Sequence, residues 1–242
     1  MKTNMTISIF LSVFCFVPGI NLRAQSQVSG YTDLGWNNVS DGLYIKTAGL
    51  AQYQFGKYEA GAGIQIDLKS NNKNILSGYN FYLSRNCVIK NFPFEVQSFF
   101  LLTPFSDILR ETDWGFLLNI KLNHVAISAG TNFRTTSFTK NISSYESATK
   151  NKLREPWNLM YSFSYYLKPP DNPWNIRLSI TDIDNFVISQ ESNPVINLRA
   201  SWELNSRLNL FVESWHKSSG VFNLAKNNFG FFFRTGIIWN IN

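Results

Sequence analysis

The sequence predicts an all-β fold: a closed antiparallel transmembrane β-barrel of about twelve strands, formed by residues 25–242 as one domain. Three observations carry this prediction, namely long period-two alternation, an aromatic content of 16%, and connections that alternate between short and long. In residues 227–242, odd positions such as Phe233 and Trp239 are apolar, whereas even positions include Arg234 and two glycines. An ordinary strand has about 5–6 residues, but a tilted strand that crosses a bilayer needs roughly 9–11.

Residues 1–24 are expected to be a signal peptide. Lys2 supplies the positive start, residues 7–17 the apolar core, and Ala24 the small residue before the cleavage site. The mature chain then keeps one cysteine, Cys87, so we expect no internal disulfide. It contains no apolar stretch long enough for a membrane helix. An exported chain this rich in aromatic side chains indicates the outer membrane of a Gram-negative bacterium, where half of each barrel strand faces lipid.

Twelve alternating stretches are expected to form the barrel wall. They cover roughly residues 28–37, 43–55, 58–68, 78–89, 94–103, 114–122, 124–134, 157–168, 174–181, 194–204, 207–217 and 227–242. Their apolar faces include, in chain order, Leu34, Tyr53, Ile64, Phe81, Trp114, Ile127, Phe163, Leu198, Leu210 and Phe233. The fourth stretch places Arg85 on its apolar face, so we expect a β-bulge near Arg85 and Asn86.

The connections between these stretches alternate strictly in length. Short turns are predicted near residues 56, 92, 123, 171 and 205, and longer polar loops near residues 38, 72, 108, 145, 188 and 222. A barrel with short periplasmic turns and long outer loops has this pattern, and an even strand count places both termini on the periplasmic side. A soluble β-sandwich would also alternate, but its outward face would be polar.

The polar face, taken as the barrel interior, carries many charges. The predicted lumen charges are Lys46, Lys121, Arg134, Arg177, Arg199, Glu203, Glu213 and Arg234. Two interpretations stay open. The charges of the last four strands can pair with one another and fill the lumen, or they can line a narrow pore whose arginines select small anionic solutes. In size and lumen charge the chain resembles the small twelve-stranded outer-membrane porins for acidic oligosaccharides, and this resemblance implies a channel.

A candidate hydrolytic site lies near the end of the eleventh stretch. His216 and Ser218 are two residues apart on the lipid-facing side, and Asn227 has the same parity across the outer loop. This stretch resembles the His-x-Ser-Asn-Gly motif of outer-membrane phospholipase A and the His-x-Ser-Asn motif of the lipid A deacylases, although Ser219 stands where those families have Asn. The resemblance implies a serine-type lipid esterase with His216 as base, Ser218 as nucleophile and Asn227 as the orienting residue.

The main functional prediction is non-enzymatic: a narrow, porin-like channel, or an accessory structural barrel of an outer-membrane assembly. The lipid hydrolase is the alternative. The expected partners are outer-membrane lipids and lipopolysaccharide, with small anionic solutes or other outer-membrane proteins as further candidates. No metal or other cofactor is expected, because two histidines and one mature cysteine give no ligand cluster. Nucleic acid is not expected, because no basic run is interleaved with stacking aromatics.

Overall fold

The wall of the molecule is a closed barrel of twelve antiparallel strands, which confirms the predicted fold class. The computed structural model describes residues 24–37, 42–69, 75–90, 92–104, 109–138, 153–169, 172–186, 195–217 and 230–241. The strands are β1 (Ala24–Asn37), β2 (Gly42–Phe55), β3 (Tyr58–Lys69), β4 (Leu76–Ile89), β5 (Phe92–Pro104), β6 (Leu109–Lys121), β7 (Val125–Phe138), β8 (Leu153–Tyr166), β9 (Trp174–Thr181), β10 (Val195–Asn205), β11 (Leu208–Lys217) and β12 (Phe231–Ile241).

Each strand pairs with its neighbours in the chain, and the last strand pairs with the first. The β1–β12 ladder runs from Ser26 opposite Ile241 to Trp36 opposite Phe231. Because this ladder is as regular as the others, the sheet has no free edge at the place where the chain begins and ends. Within the described ranges, no helix is long and apolar enough to cross a membrane.

The predicted alternation of connection lengths holds in part. The connections after β2, β4, β6 and β10 are the shortest, and those after β7, β9 and β11 are the longest. The connection after β8, residues 167–173, is longer than those after β1, β3 and β5, so the strict alternation is wrong there. One predicted loop is shorter than expected, because β7 continues to Phe138 and β8 already begins at Leu153. Thr135 and Thr136 are consecutive and both polar, so the sequence shows no alternation there. Their backbones still pair with Arg154 and Leu153.

The two faces of the wall have opposite character. Large apolar side chains are exposed on the outer face, including Ile64, Phe81, Leu198, Val212 and Phe233. Buried polar and charged side chains lie on the inner face, and they include Asp33, Asp113, Asn132, Glu213 and Arg234. An apolar exterior around a polar interior is typical of a β-barrel embedded in a lipid bilayer.

The bulge predicted near Arg85 and Asn86 is wrong. Both residues pair in unbroken register, Arg85 with Val96 and Asn86 with Glu95. The Arg85 guanidinium carbon lies 5.5 Å from the centroid of the Tyr58 ring, so an outward arginine is accommodated by stacking on an aromatic ring. The alternation of β4 therefore continues through Arg85 without a bulge.

One connection enters the barrel. Strand β9 has 8 residues, against 14 in β8, and the chain leaves the wall after Thr181. The backbone N–H of Tyr161 donates to Asp182 Oδ1 at 2.9 Å, where a ninth residue of β9 would have paired. Residues 182–186, here called the inward segment, then lie inside the lumen, and Phe186 is only 1% exposed. The sequence predicts an outer loop from residue 182 onward, and for these five residues that prediction is wrong.

Candidate functional site

A row of charged side chains crosses the inner face of five neighbouring strands. The pairing register brings one residue of each strand to the same level, so that each faces the next across a ladder. In order from β1 through β12, β11 and β10 to β9, this charge belt consists of Asp33, Arg234, Glu213, Arg199 and Arg177. The alternation of each strand places its residue inside, and the register makes them neighbours.

Arg234 is deeply buried in the charge belt and makes contacts on several sides. Its Nε donates to Asp33 Oδ1 at 2.7 Å, and its Nη2 donates to Asp33 Oδ2 at 3.0 Å. It also makes a paired contact with Asp184 of the inward segment, at 2.7 and 2.9 Å. Its guanidinium carbon lies 4.0 Å from the centroid of the Tyr31 ring. Arg234 therefore fastens the inward segment to the wall by two forked, charge-assisted contacts.

Arg177 and Arg199 lie at the other end of the charge belt and share one carboxylate. Glu213 Oε1 is 3.0 Å from Arg199 Nη1 and 3.5 Å from Arg177 Nη2. The second oxygen, Oε2, accepts a hydrogen bond of 2.7 Å from the indole of Trp215 and lies 3.6 Å from Arg234 Nη1. Positive charge therefore exceeds negative charge at this end of the belt.

Of the remaining predicted lumen charges, Lys46 on β2 faces Asp33 across the β1–β2 ladder and so continues the row beyond the charge belt, and the other three lie apart from it. Arg134 is buried on β7, two strands beyond β9, at 3.1 Å from Asp113 and 3.6 Å from Glu111. The Lys46 ammonium lies 5.7 Å from the centroid of the Tyr44 ring. Lys121 and Glu203 are exposed, close to the short turns that end their strands.

The inward segment contacts several sides of the lumen. Ile183 packs against a buried apolar cluster on β5, β6 and β8 that includes Leu117 and Met160. Across the lumen, Asn80 Nδ2 donates to the Asn185 carbonyl at 2.5 Å. Together with the Arg234–Asp184 contact, these interactions hold the segment across the interior and not along one wall.

Phe186 is the last described residue of the inward segment, and its ring fills a small apolar pocket in the wall, here called the socket. Its ring packs in a cluster with Tyr31, Ala48, Leu50 and Phe211. The socket also needs two glycines: a Cβ atom at Gly63 would lie 3.0 Å from the ring, and one at Gly78 would lie 3.1 Å from it. Any larger residue at these positions would meet the phenylalanine.

A cavity of about 310 Å³ lies beside the inward segment. Its wall includes apolar, hydroxyl and charged surfaces. The apolar part includes Phe99, Leu117, Met160 and Ile183, the hydroxyl part Ser128, Ser162, Ser164 and Ser179, and the charged part Arg177, Arg199, Glu213, Arg234 and Asp184. The interior is thus neither an open tube nor a solid core.

Sequence reasoning missed several residues of this site. The alternation places Asp33 and Ser162 on the inner face, but nothing else in the sequence indicates a functional role for them. Asp184 had no signal at all, since it follows a strand in what reads as a polar loop. Its role depends on the early end of β9, which no periodicity reveals.

Of the three candidate hydrolytic residues, the structure describes His216. His216 faces outward near the outer end of β11, is exposed, and has its ring centroid 6.5 Å from that of Phe231. Ser218 and Asn227 lie outside the described residues. In the described ranges there is no group of three or more His, Cys, Asp or Glu side chains that could hold a metal ion.

Comparison with known proteins gives likeness in structure only. No family model matches the chain, and no curated protein matches it. The KdgM porin in complex with disordered oligogalacturonate has a TM-score of 0.55 and 10% identity, over 89% of this chain and 99% of that chain.

Two other barrels have lower scores. The translocator domain of the autotransporter NalP from Neisseria meningitidis has a TM-score of 0.45 and 11% identity, over 98% of this chain and 95% of that one. Outer membrane phospholipase A from Escherichia coli has a TM-score of 0.44 and 11% identity, over 90% of each chain. The likeness to the KdgM porin shows that this chain shares the fold of a bacterial outer-membrane β-barrel.

Proposed function

We propose that the protein is a narrow channel of the bacterial outer membrane that passes small anionic solutes. The observation that carries this proposal is the cavity of about 310 Å³ inside the closed wall, lined by arginine, serine and asparagine side chains. A barrel that serves only as a structural part of an assembly has no need of a polar interior cavity, whereas a channel requires one. The apolar outer face supplies the lipid-facing surface that this location needs.

The charge belt supplies the preference for anions. Arg177 and Arg199 are in part exposed to the lumen, with side-chain exposures of 25% and 21%, and share only the Glu213 carboxylate. Rings or rows of arginine select for anions in narrow pores, because an anion that loses part of its hydration shell there is compensated by fixed positive charge. Arg234 contributes little to this selection, because Asp33 and Asp184 already neutralise it.

The inward segment sets the width of the passage. It lies across the lumen and is held at Asp184 and Phe186, so the free path runs beside it through the cavity. We therefore expect a small unit conductance, and we expect it to rise when the segment is released from its socket.

The test is to record single-channel currents from the refolded full-length protein in planar bilayers. The wild type should give small, anion-preferring currents, read from the reversal potential in a salt gradient. Phe186→Ala should increase the unit conductance, because it removes the ring that anchors the segment. Phe233→Ala is the matched control, since that ring faces outward and is 50% exposed, and it should leave the conductance unchanged.

The accessory-barrel interpretation predicts a different result. If neither the wild type nor Phe186→Ala carries current, the channel proposal is wrong and a structural role takes its place. A reversal potential that indicates cation preference would contradict the role given to Arg177 and Arg199.

A lipid hydrolase is the second candidate function, and the outward, exposed position of His216 favours it. A base at this position would lie near the outer-leaflet acyl chains. Esterase activity on phospholipid or lipopolysaccharide that is lost in both His216→Ala and Ser218→Ala would establish this function. No activity in the wild type would remove it.

A further inference from the structure

Two buried hydrogen-bond donors at the cavity have no acceptor. Asn197 is 0% exposed, and its Oδ1 accepts from Arg177 Nη2 at 2.9 Å. A guanidinium group cannot accept a hydrogen bond, so this contact fixes the orientation of the amide and leaves Nδ2 as its free group. Neither Asn197 Nδ2 nor Arg177 Nε has a hydrogen-bond partner within the described part of the chain. Because a buried donor without a partner is costly, both call for an acceptor that the protein does not supply.

The excess of positive charge at Arg177 and Arg199 also favours a negatively charged partner. Arg177 and Arg199 present two guanidinium groups against the single carboxylate of Glu213. Among the described residues that line the cavity, the second acidic group is Asp184, and Arg234 already holds both of its oxygens. Arg177 and Arg199 thus carry one positive charge more than Glu213 compensates locally, and an anion is the partner that would balance it.

The other side of the cavity limits what kind of anion fits. Leu117 and Ile183 line it there, and Met160, in the same apolar cluster, is 0% exposed and packs with them. An inorganic anion would leave this apolar surface without a partner, whereas an anion with an apolar part would cover it. The volume of about 310 Å³ lies at the lower end of the range for small-molecule pockets, roughly 300–1,000 Å³.

We propose that this cavity is a binding site for a small monocarboxylate with an apolar body. Its carboxylate accepts hydrogen bonds from Arg177 Nε, Asn197 Nδ2 and the Arg199 guanidinium, and its apolar part lies against Leu117 and Ile183. The inference rests on the proposed function in one respect: the channel delivers the solute to the site. It deepens that function by naming the chemical class for which the lumen is built.

Benzoate is the probe, and benzamide is its neutral control of the same shape. Each is titrated by calorimetry into the refolded full-length protein in non-ionic detergent. Benzoate should bind, benzamide should bind at least about tenfold more weakly because it lacks the charge, and inorganic phosphate should also bind more weakly because it lacks the apolar body.

Variants of the site separate recognition from general charge effects. Arg199→Gln should weaken benzoate binding by about tenfold or more, while Arg207→Gln, the same exchange in an exposed turn, should leave it unchanged. Asn197→Asp is the second variant. Its carboxylate can pair with Arg177 and so preserve the fold, but it stands where the carboxylate of the ligand belongs, and binding should be lost.

Three results would overturn the site: no benzoate binding by the wild type, equal affinity for benzoate and benzamide, or unchanged binding by Asn197→Asp. The bilayer recordings keep this outcome apart from that of the channel. A barrel that conducts but does not bind benzoate refutes the site and not the channel. A barrel that binds benzoate but never conducts refutes the channel and not the site.

Discussion

Arg234 joins three parts of the molecule through one guanidinium group. It contacts Asp33 on β1, Asp184 in the inward segment, and Glu213 on β11, where the separation is 3.6 Å. The side chain is 3% exposed. A charge so deeply buried is tolerated only while its partners are in place, and those partners depend on it in the same way.

Replacing Arg234 by glutamine should therefore be strongly destabilising. We expect Arg234→Gln to lower the free energy of unfolding by about 3–5 kcal/mol, because it leaves buried carboxylates without a counter-charge. Arg207→Gln, in an exposed turn, should change it by less than about 0.5 kcal/mol. Equilibrium urea unfolding of the refolded protein measures both, and a loss below about 1 kcal/mol for Arg234→Gln would contradict the role described for this residue.

At the scale of the element, the inward segment depends on the wall having space for Phe186. Gly78 provides that space on β4, where a Cβ atom would lie 3.1 Å from the Phe186 ring. Gly49 on β2 is a suitable contrast, because a Cβ atom there would have no neighbour within 4 Å. A side chain would therefore be obstructed at Gly78 but not at Gly49.

Valine at these two positions should have opposite consequences. Gly78→Val should lower the free energy of unfolding by about 1–3 kcal/mol, because the added methyl groups overfill the Phe186 socket. Gly49→Val should be neutral or slightly stabilising, because a β-branched residue suits a strand better than glycine does. Urea unfolding of both variants is the measurement. Equal effects would mean that the socket does not exist.

At the scale of the whole molecule, the outer face must match its surroundings. Val212 is 54% exposed on β11, next to the outward Leu210. In lipid vesicles, Val212→Arg should cost about 2–4 kcal/mol of unfolding free energy if this position lies near the middle of the bilayer. Ser206→Arg, in an exposed turn, should cost less than about 0.5 kcal/mol. If Val212→Arg costs no more than Ser206→Arg, this face does not meet hydrocarbon.

Most of the wall could be predicted from the sequence, because its information is local. Period-two alternation places Leu198 outside and Arg199 inside whatever the neighbouring strands do. The order of long and short connections then determines which strands are adjacent. For the same reason, the alternation does not predict that β7 includes Thr135 and Thr136, although their backbones continue the ladder.

The functional interior could not be predicted in the same way, because it depends on distances between residues far apart in the chain. That Glu213 serves both Arg177 and Arg199 depends on the register of three strands. The inward path of residues 182–186 depends on where β9 stops. The predicted ladder included Glu203, which is exposed near a turn, and it lacked Asp33 and Asp184, which complete it.

The ion pair between Asp33 and Arg234 has a consequence for assembly. The aspartate belongs to the first strand and the arginine to the last, so nearly the entire polypeptide is made before the two can meet. A half-built sheet that entered the hydrocarbon early would carry the Asp33 carboxylate into it with Lys46 opposite but without the paired hydrogen bonds from Arg234, at considerable electrostatic cost. Completion removes that cost at the junction of the two chain ends. The pair therefore disfavours premature insertion and rewards only the finished cylinder.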